Sequence, residues 1–174
     1  MNIQEESEIV EAARSGDVGS FGKLYERYYA AMVWLAYSIV ADRDLAEDAA
    51  QQTFTLACGE LACLKAPGKF AGWLAGICRN VARQITRERK RQVLTNDPPA
   101  VVAQSDDKAV EEMVREAINA LPEMYREALI LRYWSEMSYE RMAPILGICR
   151  SRVKGRLFRA RRKVGQYLKR KGFE

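Results

Sequence analysis

The chain has 174 residues, of which 48% are hydrophobic, and it carries a formal net charge of +5 with no histidine. The apolar content is sufficient for a packed core, which excludes a chain that is disordered throughout. Without histidine the usual zinc-finger ligand sets cannot form, and a serine or cysteine nucleophile lacks its commonest general base. The composition therefore favours a binding protein over an enzyme, and we expect no metal, no cofactor and no small-molecule substrate.

Neither membrane insertion nor secretion is indicated by the sequence. No apolar run approaches the roughly 18 residues of a membrane-spanning helix. The N-terminal stretch is acidic and lacks the apolar core of a secretory signal. The cysteines are scattered without a CxxC pair, at Cys58, Cys63, Cys78 and Cys149. We expect a cytoplasmic protein with no direct membrane insertion and with four reduced, buried thiols.

Helical periodicity dominates the first half of the chain, and no alternating strand pattern is present. Apolar side chains recur every three or four residues over residues 21–39, 46–61 and 70–85. Asp44 is the expected N-cap of the second of these helices. Between the second and the third helix, the proline and glycine of LKAPGK predict a turn at residues 64–69.

A flexible linker is predicted in the middle of the chain. Periodicity disappears over residues 92–108, where Pro98 and Pro99 exclude a regular helix. Helical periodicity resumes at residue 109. We therefore expect an all-α protein in which two small helical domains, residues 1–91 and 109–174, are joined by this linker, with a helix-turn-helix in the second domain.

Residues 138–172 have the pattern of that helix-turn-helix. Ser138 is a favourable N-cap for a short helix, within which Pro144 removes one backbone hydrogen bond. Gly147 suits the left-handed position that ends a helix, and Cys149 can begin the next one. The helix dipole is expected to lower the pKa of the Cys149 thiol. A capping or packed thiol is the favoured interpretation, and a redox sensor is the alternative.

The last helix is strongly basic and lies in a segment, residues 147–172, without any acid. At about 100° per residue its apolar side chains form one narrow stripe that we expect to pack inward: Val153, Leu157, Ala160 and Val164. The opposite side is expected to face a DNA major groove and carries Ser151, Lys154, Gly155, Phe158, Arg159 and Arg162. Lysine and arginine can reach phosphates or guanine edges, and phenylalanine can contact a thymine methyl group. A merely solvated basic helix, a coiled-coil arm or a membrane-surface segment would leave the preceding helix and turn unexplained.

A second nucleic-acid surface is predicted on the helix that begins near residue 70. Its polar side chains fall on one side, at Arg79, Asn80, Arg83, Gln84 and Arg87, with Lys65 and Lys69 in the preceding loop. Amides read base edges and arginines follow the backbone. An ordinary solvated helix face is the alternative.

Three stretches resemble the conserved blocks of bacterial sigma factors, in the same order and at similar spacing: LAEDAAQQTF, FAGWLAGICRNVARQITRERKR and ALPEMYREALILRYWSEMSYERMAPILGICRSRVKGRLFRARRKV. The chain is most similar to the extracytoplasmic-function (group IV) class of the sigma-70 family. The resemblance covers residues 21–164. It implies a dissociable initiation subunit of core RNA polymerase that recognises promoter DNA, and an anti-sigma factor as inhibitor.

The resemblance also implies roles for residues of the first domain, which in this family binds the polymerase and melts the −10 promoter element. The positions that match the core-binding stretch are Asp48, Gln51 and Gln52, the last of which is often Glu in the family. The loop from Lys65 to Lys69 matches the segment that captures an extruded −10 base. Asn80 and Gln84 match residues that contact the melted strand, and the surface predicted above places Arg79 beside them.

The second domain resembles the reader of the −35 element. The main contact positions of that reader are matched by Lys154, Gly155, Phe158 and Arg159. Gly155 replaces a common serine, and Arg150 and Arg152 are expected to add phosphate contacts. The linker resembles a segment that sigma factors thread through the polymerase. Its acids, Asp97, Asp106 and Asp107, would mimic nucleic acid there, and a plain spacer is an equal alternative.

Two other functional classes are alternatives to a sigma factor. A stand-alone helix-turn-helix regulator predicts a dimer on palindromic sites, and it leaves the blocks of the first domain unexplained. An enzyme needs a cleft with convergent ionisable groups, and the sequence offers no candidate set.

Overall fold

The computed structural model describes residues 3–93 and 106–173, and every regular element in these two stretches is helical. The α-helices are α1 (Ile3–Arg14), α2 (Val18–Val40), α3 (Arg43–Glu60), α4 (Phe70–Val93), α5 (Asp106–Asn119), α6 (Glu123–Tyr133), α7 (Tyr139–Leu146) and α8 (Arg150–Arg170). Two short 3-10 turns, Leu61–Cys63 and Pro67–Lys69, connect α3 to α4. The predicted all-α class is confirmed.

The N-terminal half, residues 3–93, is built around α2. This helix packs against α1, α3 and α4, and its apolar positions Leu24, Met32 and Leu35 are fully buried. Phe54 of α3 and Phe70 of α4 complete the same core. Because α4 presents one side to this core, its other sides remain available for further contacts.

No helix is predicted by periodicity for residues 3–14, yet α1 forms there. It buries Val10 completely and Ile9 only partly, so its apolar pattern is weak. A polar contact also holds α1 against α2. The hydroxyl of Tyr28 donates to the Glu6 carboxylate at 2.8 Å, and Arg27 lies 3.1 Å from the same group.

The N-cap of α3 is Asp42, and the expectation that Asp44 fills this role is wrong. Asp42 has an extended backbone, and its side chain accepts hydrogen bonds from the backbone N–H groups of Asp44 and Leu45. Asp44 already lies within the first turn. Its negative charge still interacts favourably with the helix dipole there.

The C-terminal half, residues 106–173, contains the predicted helix-turn-helix in α7 and α8. The Ser138 hydroxyl accepts from the backbone N–H of Arg141 at the start of α7, and Pro144 lies inside that helix. Gly147 has φ of 65°, in the left-handed region that favours glycine. Cys149 is the N-cap of α8. The predicted motif and its turn are confirmed.

The two halves share one continuous hydrophobic core, in which α2 packs against α6 and α4 packs against α7. Because α4 ends at Val93 and α5 begins at Asp106, both ends of the predicted linker are helical. Residues 94–105, including Asp97, Pro98 and Pro99, lie outside the described residues.

Only one of the four cysteines is buried, so the expectation of four buried thiols is wrong. Cys78 lies in the core, whereas Cys58, Cys63 and Cys149 are exposed, and all four are free. Periodicity explains the difference, because Cys58 follows the inward-facing Ala57 and therefore turns toward the outside of α3. In the described stretches, no helix is long and apolar enough to cross a membrane.

Candidate nucleic-acid interface

The two faces of α8 differ in burial as the helical wheel predicts. Val153, Leu157 and Ala160 are buried, and Val164 is half-buried against the core. The side chains of Ser151, Lys154, Arg159 and Arg162 are exposed on the other side. The stripe packs against α6 and α7, which holds the basic face outward.

Gly155 and Phe158 give the outward face of α8 its shape. A Cβ atom at Gly155 would have only the guanidinium of Arg159 within 4 Å, so the backbone there is open to a close approach. The Phe158 side chain is 60% exposed. An exposed aromatic ring between basic side chains is suited to contact with a nucleobase.

Two further basic side chains and a thiol with a lowered pKa lie at the beginning of α8. Arg152 is exposed, and Arg150 forms an ion pair with Glu140 of α7 at 2.9 Å across the turn. A hydrogen bond with the Ser151 hydroxyl and one from the backbone N–H of Arg152 lower the pKa of the Cys149 thiol. The shift has the expected direction, and its largest cause is the hydrogen bond with Ser151.

The predicted surface of α4 divides into an open part and a covered part. Asn80, Gln84 and Arg87 are exposed, and Gln84 donates to Glu88 of the same helix at 3.0 Å. Arg79 and Arg83 instead form ion pairs with side chains of the C-terminal half. The open polar surface of α4 therefore consists of Asn80, Gln84, Arg87 and the exposed part of Arg83, whereas Arg79 is covered.

The covered part of α4 is an ionic contact with α6. Arg79 donates from Nε and Nη2 to the two carboxylate oxygens of Glu127 at 2.7 and 3.1 Å, and from Nη2 to the backbone oxygen of Ile145 at 3.2 Å. Glu127 is only 4% exposed. Arg83 pairs with Glu123 at 2.5 Å, a hydrogen bond that raises the pKa of Arg83.

Sequence reasoning missed both glutamates of α6 and a third arginine beside them. Arg156 of α8 interacts electrostatically with Glu127 and Arg79, and burial lowers its pKa while the charge of Glu127 opposes that effect. One signal was present in the sequence. Glu127 directly precedes the apolar run ALIL, where a carboxylate falls within the buried side of α6.

The loop before α4 borders a cavity of about 740 Å³. Leu64, Ala66 and Trp73 provide apolar walls, and Pro144 of α7 closes one side. Lys65 and Lys69 also line the cavity and are themselves exposed. The cavity thus combines an aromatic ring with two cations at the position where the family resemblance places base capture.

A separate polar face lies on α3. Ala49, Ala50 and Phe54 turn into the core, whereas Asp48, Gln51 and Gln52 are all exposed on the outer side. This face lies on a different helix from the basic surfaces of α4 and α8. Among residues 3–93 and 106–173, no group of three or more His, Cys, Asp or Glu side chains could hold a metal ion.

Comparison with known families matches both halves of the chain. Residues 24–92 match the family described as Sigma-70 region 2, and residues 111–164 match Sigma-70, region 4. The chain is 31% identical over 154 residues to the RNA polymerase sigma factor YlaC of Bacillus subtilis, covering 82% of this chain and 88% of the relative. It is 33% identical over 138 residues to the ECF RNA polymerase sigma factor EcfG of Rhodopseudomonas palustris, covering 76% of each chain.

Two solved structures share the fold over most of their length. One is CnrH in complex with the cytosolic domain of CnrY, with a TM-score of 0.64 and 25% identity over 94% of this chain and 97% of that chain. The other is the sigma factor RpoE in complex with the anti-sigma factor NepR from Bartonella quintana. Its TM-score is 0.58 and its identity is 29%, over 87% of this chain and 98% of that chain.

Proposed function

Because the chain belongs to the extracytoplasmic-function class of the sigma-70 family, we propose that it is an alternative sigma factor that directs core RNA polymerase to promoters. One observation carries the proposal. The two basic surfaces, on α4 and on α8, lie one in each matched region, in the family's order. The protein then acts in the cytoplasm and supplies recognition, with no catalysis of its own.

The α8 face is proposed to read the −35 element as duplex DNA. Lys154, Arg159 and Arg162 are exposed cations on one side of a helix whose other side is buried. A helix of this kind fits the major groove, where arginine can donate to guanine and Phe158 can touch a thymine methyl group. Arg150, Ser151 and Arg152 extend the same face toward phosphates at the beginning of the helix.

The α4 surface and its preceding loop are proposed to hold the melted −10 strand. Asn80 and Gln84 are exposed and can read base edges, while Arg79 and Arg83 can follow the phosphates once they leave their partners. The cavity beside Trp73, between Lys65 and Lys69, provides a stacking surface for an extruded base. These roles place residues 1–91 in −10 recognition and residues 109–174 in −35 recognition.

The outer face of α3 is proposed to bind the core polymerase. Asp48, Gln51 and Gln52 are exposed and belong to a helix anchored by its opposite side. An anti-sigma factor is proposed as a further partner, in line with the complex of RpoE with NepR that this chain resembles.

The test is in vitro transcription from genomic fragments of the source bacterium, with sigma-free core polymerase in the presence and absence of this protein. We expect transcripts that start at defined sites only when the protein is added. Lys154→Ala should reduce them by weakening the −35 contact. The matched control is Lys23→Ala, which removes an exposed lysine of α2 outside both matched regions and should leave transcription unchanged.

A stand-alone regulator gives the opposite pattern in the same experiment. Free sigma factor should bind duplex promoter DNA weakly and with strong salt dependence, because few phosphate contacts act together without the polymerase. Tight binding of a dimer to a palindromic site, with no transcripts on addition of core polymerase, would overturn the proposal in favour of such a regulator.

A further inference from the structure

The structure assigns α6 a role as an intramolecular clamp: Glu127 and Glu123 occupy Arg79 and Arg83 of α4 in place of DNA phosphates and hold the free chain closed. This inference rests on the proposed function, because the contact of α6 with α4 is inhibitory only if α4 binds nucleic acid. It concerns the chain alone, without polymerase, promoter or any other protein.

The pair between Arg79 and Glu127 has the features of a strong contact. Both side chains are largely removed from water, with exposed fractions of 17% and 5%. The geometry is bidentate, and Arg79 also donates to the backbone oxygen of Ile145. Removing one member of such a pair leaves the other charge buried without compensation. In an open chain water would solvate Arg79, so the loss of Glu127 selectively disfavours the closed form.

A second feature, independent of charge, allows the same closure. A Cβ atom at Gly72 of α4 would lie 3.1 Å from the backbone oxygen of Pro144 in α7. That separation is tighter than ordinary van der Waals contact, so a side chain at this position would push the two helices apart. The missing side chain at Gly72 therefore permits the close approach of α7 to α4.

The contact with α6 covers Arg79 and engages Arg83 only in part, since Arg83 keeps an exposed fraction of 48%. Asn80 and Gln84 stay exposed, and so do the lysines of the preceding loop. The closed chain should therefore retain weak binding to single-stranded DNA through these groups and lose the phosphate contacts of the two arginines. Opening should then increase the affinity for any single strand, because phosphate contacts are independent of sequence.

The first measurement is small-angle X-ray scattering of the full chain. The wild-type protein should have a radius of gyration of about 16 Å, the value for a compact chain of this length. Glu127→Gln removes the charge of the clamp, and Gly72→Val inserts a branched side chain against Pro144. Both variants should be more expanded than the wild type while keeping its helix content by circular dichroism. A wild-type protein as expanded as these variants would overturn the inference, and so would two variants as compact as the wild type.

The second measurement is fluorescence anisotropy with a short labelled single-stranded oligonucleotide of mixed sequence. Loss of a buried charge pair should raise the ratio of open to closed chains by at least about tenfold. The affinity of Glu127→Gln should rise toward that factor until the open form predominates. The matched control is Glu111→Gln, which removes the same charge from an exposed pair within α5 and should change the affinity by less than about twofold.

Arg79→Ala separates the clamp from a general effect of opening. It removes the same ion pair, so the chain should expand, but it also removes a DNA contact and should not gain affinity. If Glu127→Gln expanded the chain but bound the oligonucleotide no more tightly than Glu111→Gln, the assignment of α6 as an occupant of the DNA site would be overturned. Failure of the proposed function has a different signature, since transcription assays with core polymerase would be negative while the scattering and binding results on the chain alone still stand.

Discussion

The environments of individual thiols divide the cysteines into two chemical classes. Cys78 is fully buried beside the backbone oxygen of Met32, and burial raises the pKa of its thiol to about 12. Cys149 is exposed, and its hydrogen bond with Ser151 lowers its thiol pKa. Since the thiolate is the reactive form, these two residues should differ strongly in their reaction with electrophiles.

We expect Cys149 of the folded protein to react with iodoacetamide faster, near neutral pH, than Cys149 of the urea-unfolded protein. The lowered pKa means that its thiolate forms at lower pH in the folded state. Cys78 should show the reverse order, because its raised pKa and its burial both suppress the reaction until the chain unfolds. Mass spectrometry of labelled peptides across pH gives both rates. Rapid labelling of Cys78 in the folded protein would contradict its environment in the core.

The two faces of α8 should separate stability from DNA binding at the level of single side chains. Leu157→Ala removes a buried side chain and should lower the free energy of unfolding by about 2–5 kcal/mol. Arg159→Ala changes an exposed side chain and should alter that free energy by less than about 0.5 kcal/mol. If Arg159 contacts a base, the same variant should weaken promoter binding by roughly 1–3 kcal/mol and relax sequence preference.

Urea unfolding and binding of polymerase holoenzyme to promoter fragments measure the two effects on α8. The assigned faces would be reversed if Arg159→Ala unfolded the protein or if Leu157→Ala affected DNA binding without loss of stability.

Helices α3 and α8 each pack one side into the core and leave the opposite side exposed for a binding partner. On α3 the anchor is Ala49, Ala50 and Phe54 in the core, and the outer side carries Asp48, Gln51 and Gln52. On α8 the anchor is the apolar stripe, and the basic face is outward. Because the anchoring side supplies most of the stability of a helix, the outer side can be changed without unfolding it.

The combined variant Asp48→Arg and Gln51→Arg should weaken association with core polymerase while leaving helix content unchanged. Asp48→Arg reverses a charge and Gln51→Arg adds one on the outer face of α3, which disrupts the proposed interface, whereas the buried side is untouched. A pull-down with core polymerase measures the association, and circular dichroism measures the helix content. The matched control is Gln4→Arg with Glu8→Arg, which makes the same charge change on exposed positions of α1 outside the matched regions. If core polymerase retained the two double variants equally, the outer face of α3 would not be part of the interface.

At the scale of the whole molecule, the two halves are joined by a shared core and by the ion pairs of α4 with α6. Buried residues of α2 and α4 belong to the same cluster as those of α6, α7 and α8. Unfolding of one half therefore exposes apolar surface of the other half. The stabilities of the two halves should be coupled.

We expect the wild-type chain to unfold in one cooperative transition. Trp34 and Trp73 lie in the N-terminal half and Trp134 in the C-terminal half, so fluorescence follows both. Urea curves from tryptophan fluorescence and from circular dichroism should coincide. In Glu127→Gln the curves should separate, because the contact between the halves is weakened. Two resolved transitions in the wild-type protein would mean that the shared core contributes little to stability.

Much of this organisation is predictable from residue order, and the remainder depends on distance in space. The inward stripe of α8, the Gly147 turn and the helical pattern over residues 21–39 and 70–85 follow from spacing, because a helix that buries one side must repeat apolar residues every three or four positions. Local rules were less reliable at the N-cap of α3, where Asp42 and Asp44 are chemically equivalent and backbone conformation chose between them.

The binding partner of Arg79 is the clearest example of a feature that residue order does not determine. Periodicity places it on the polar side of α4, and that side is the same whether its partner is DNA, water or Glu127. Its partner lies 48 residues away along the chain, and the pair exists only because α6 and α7 pack against α2 and α4. Local spacing specifies which side of a helix is polar. Which polar group meets that side is set by the packing of the two halves, since an ion pair depends on distance and burial, and neither is a property of the sequence around one residue.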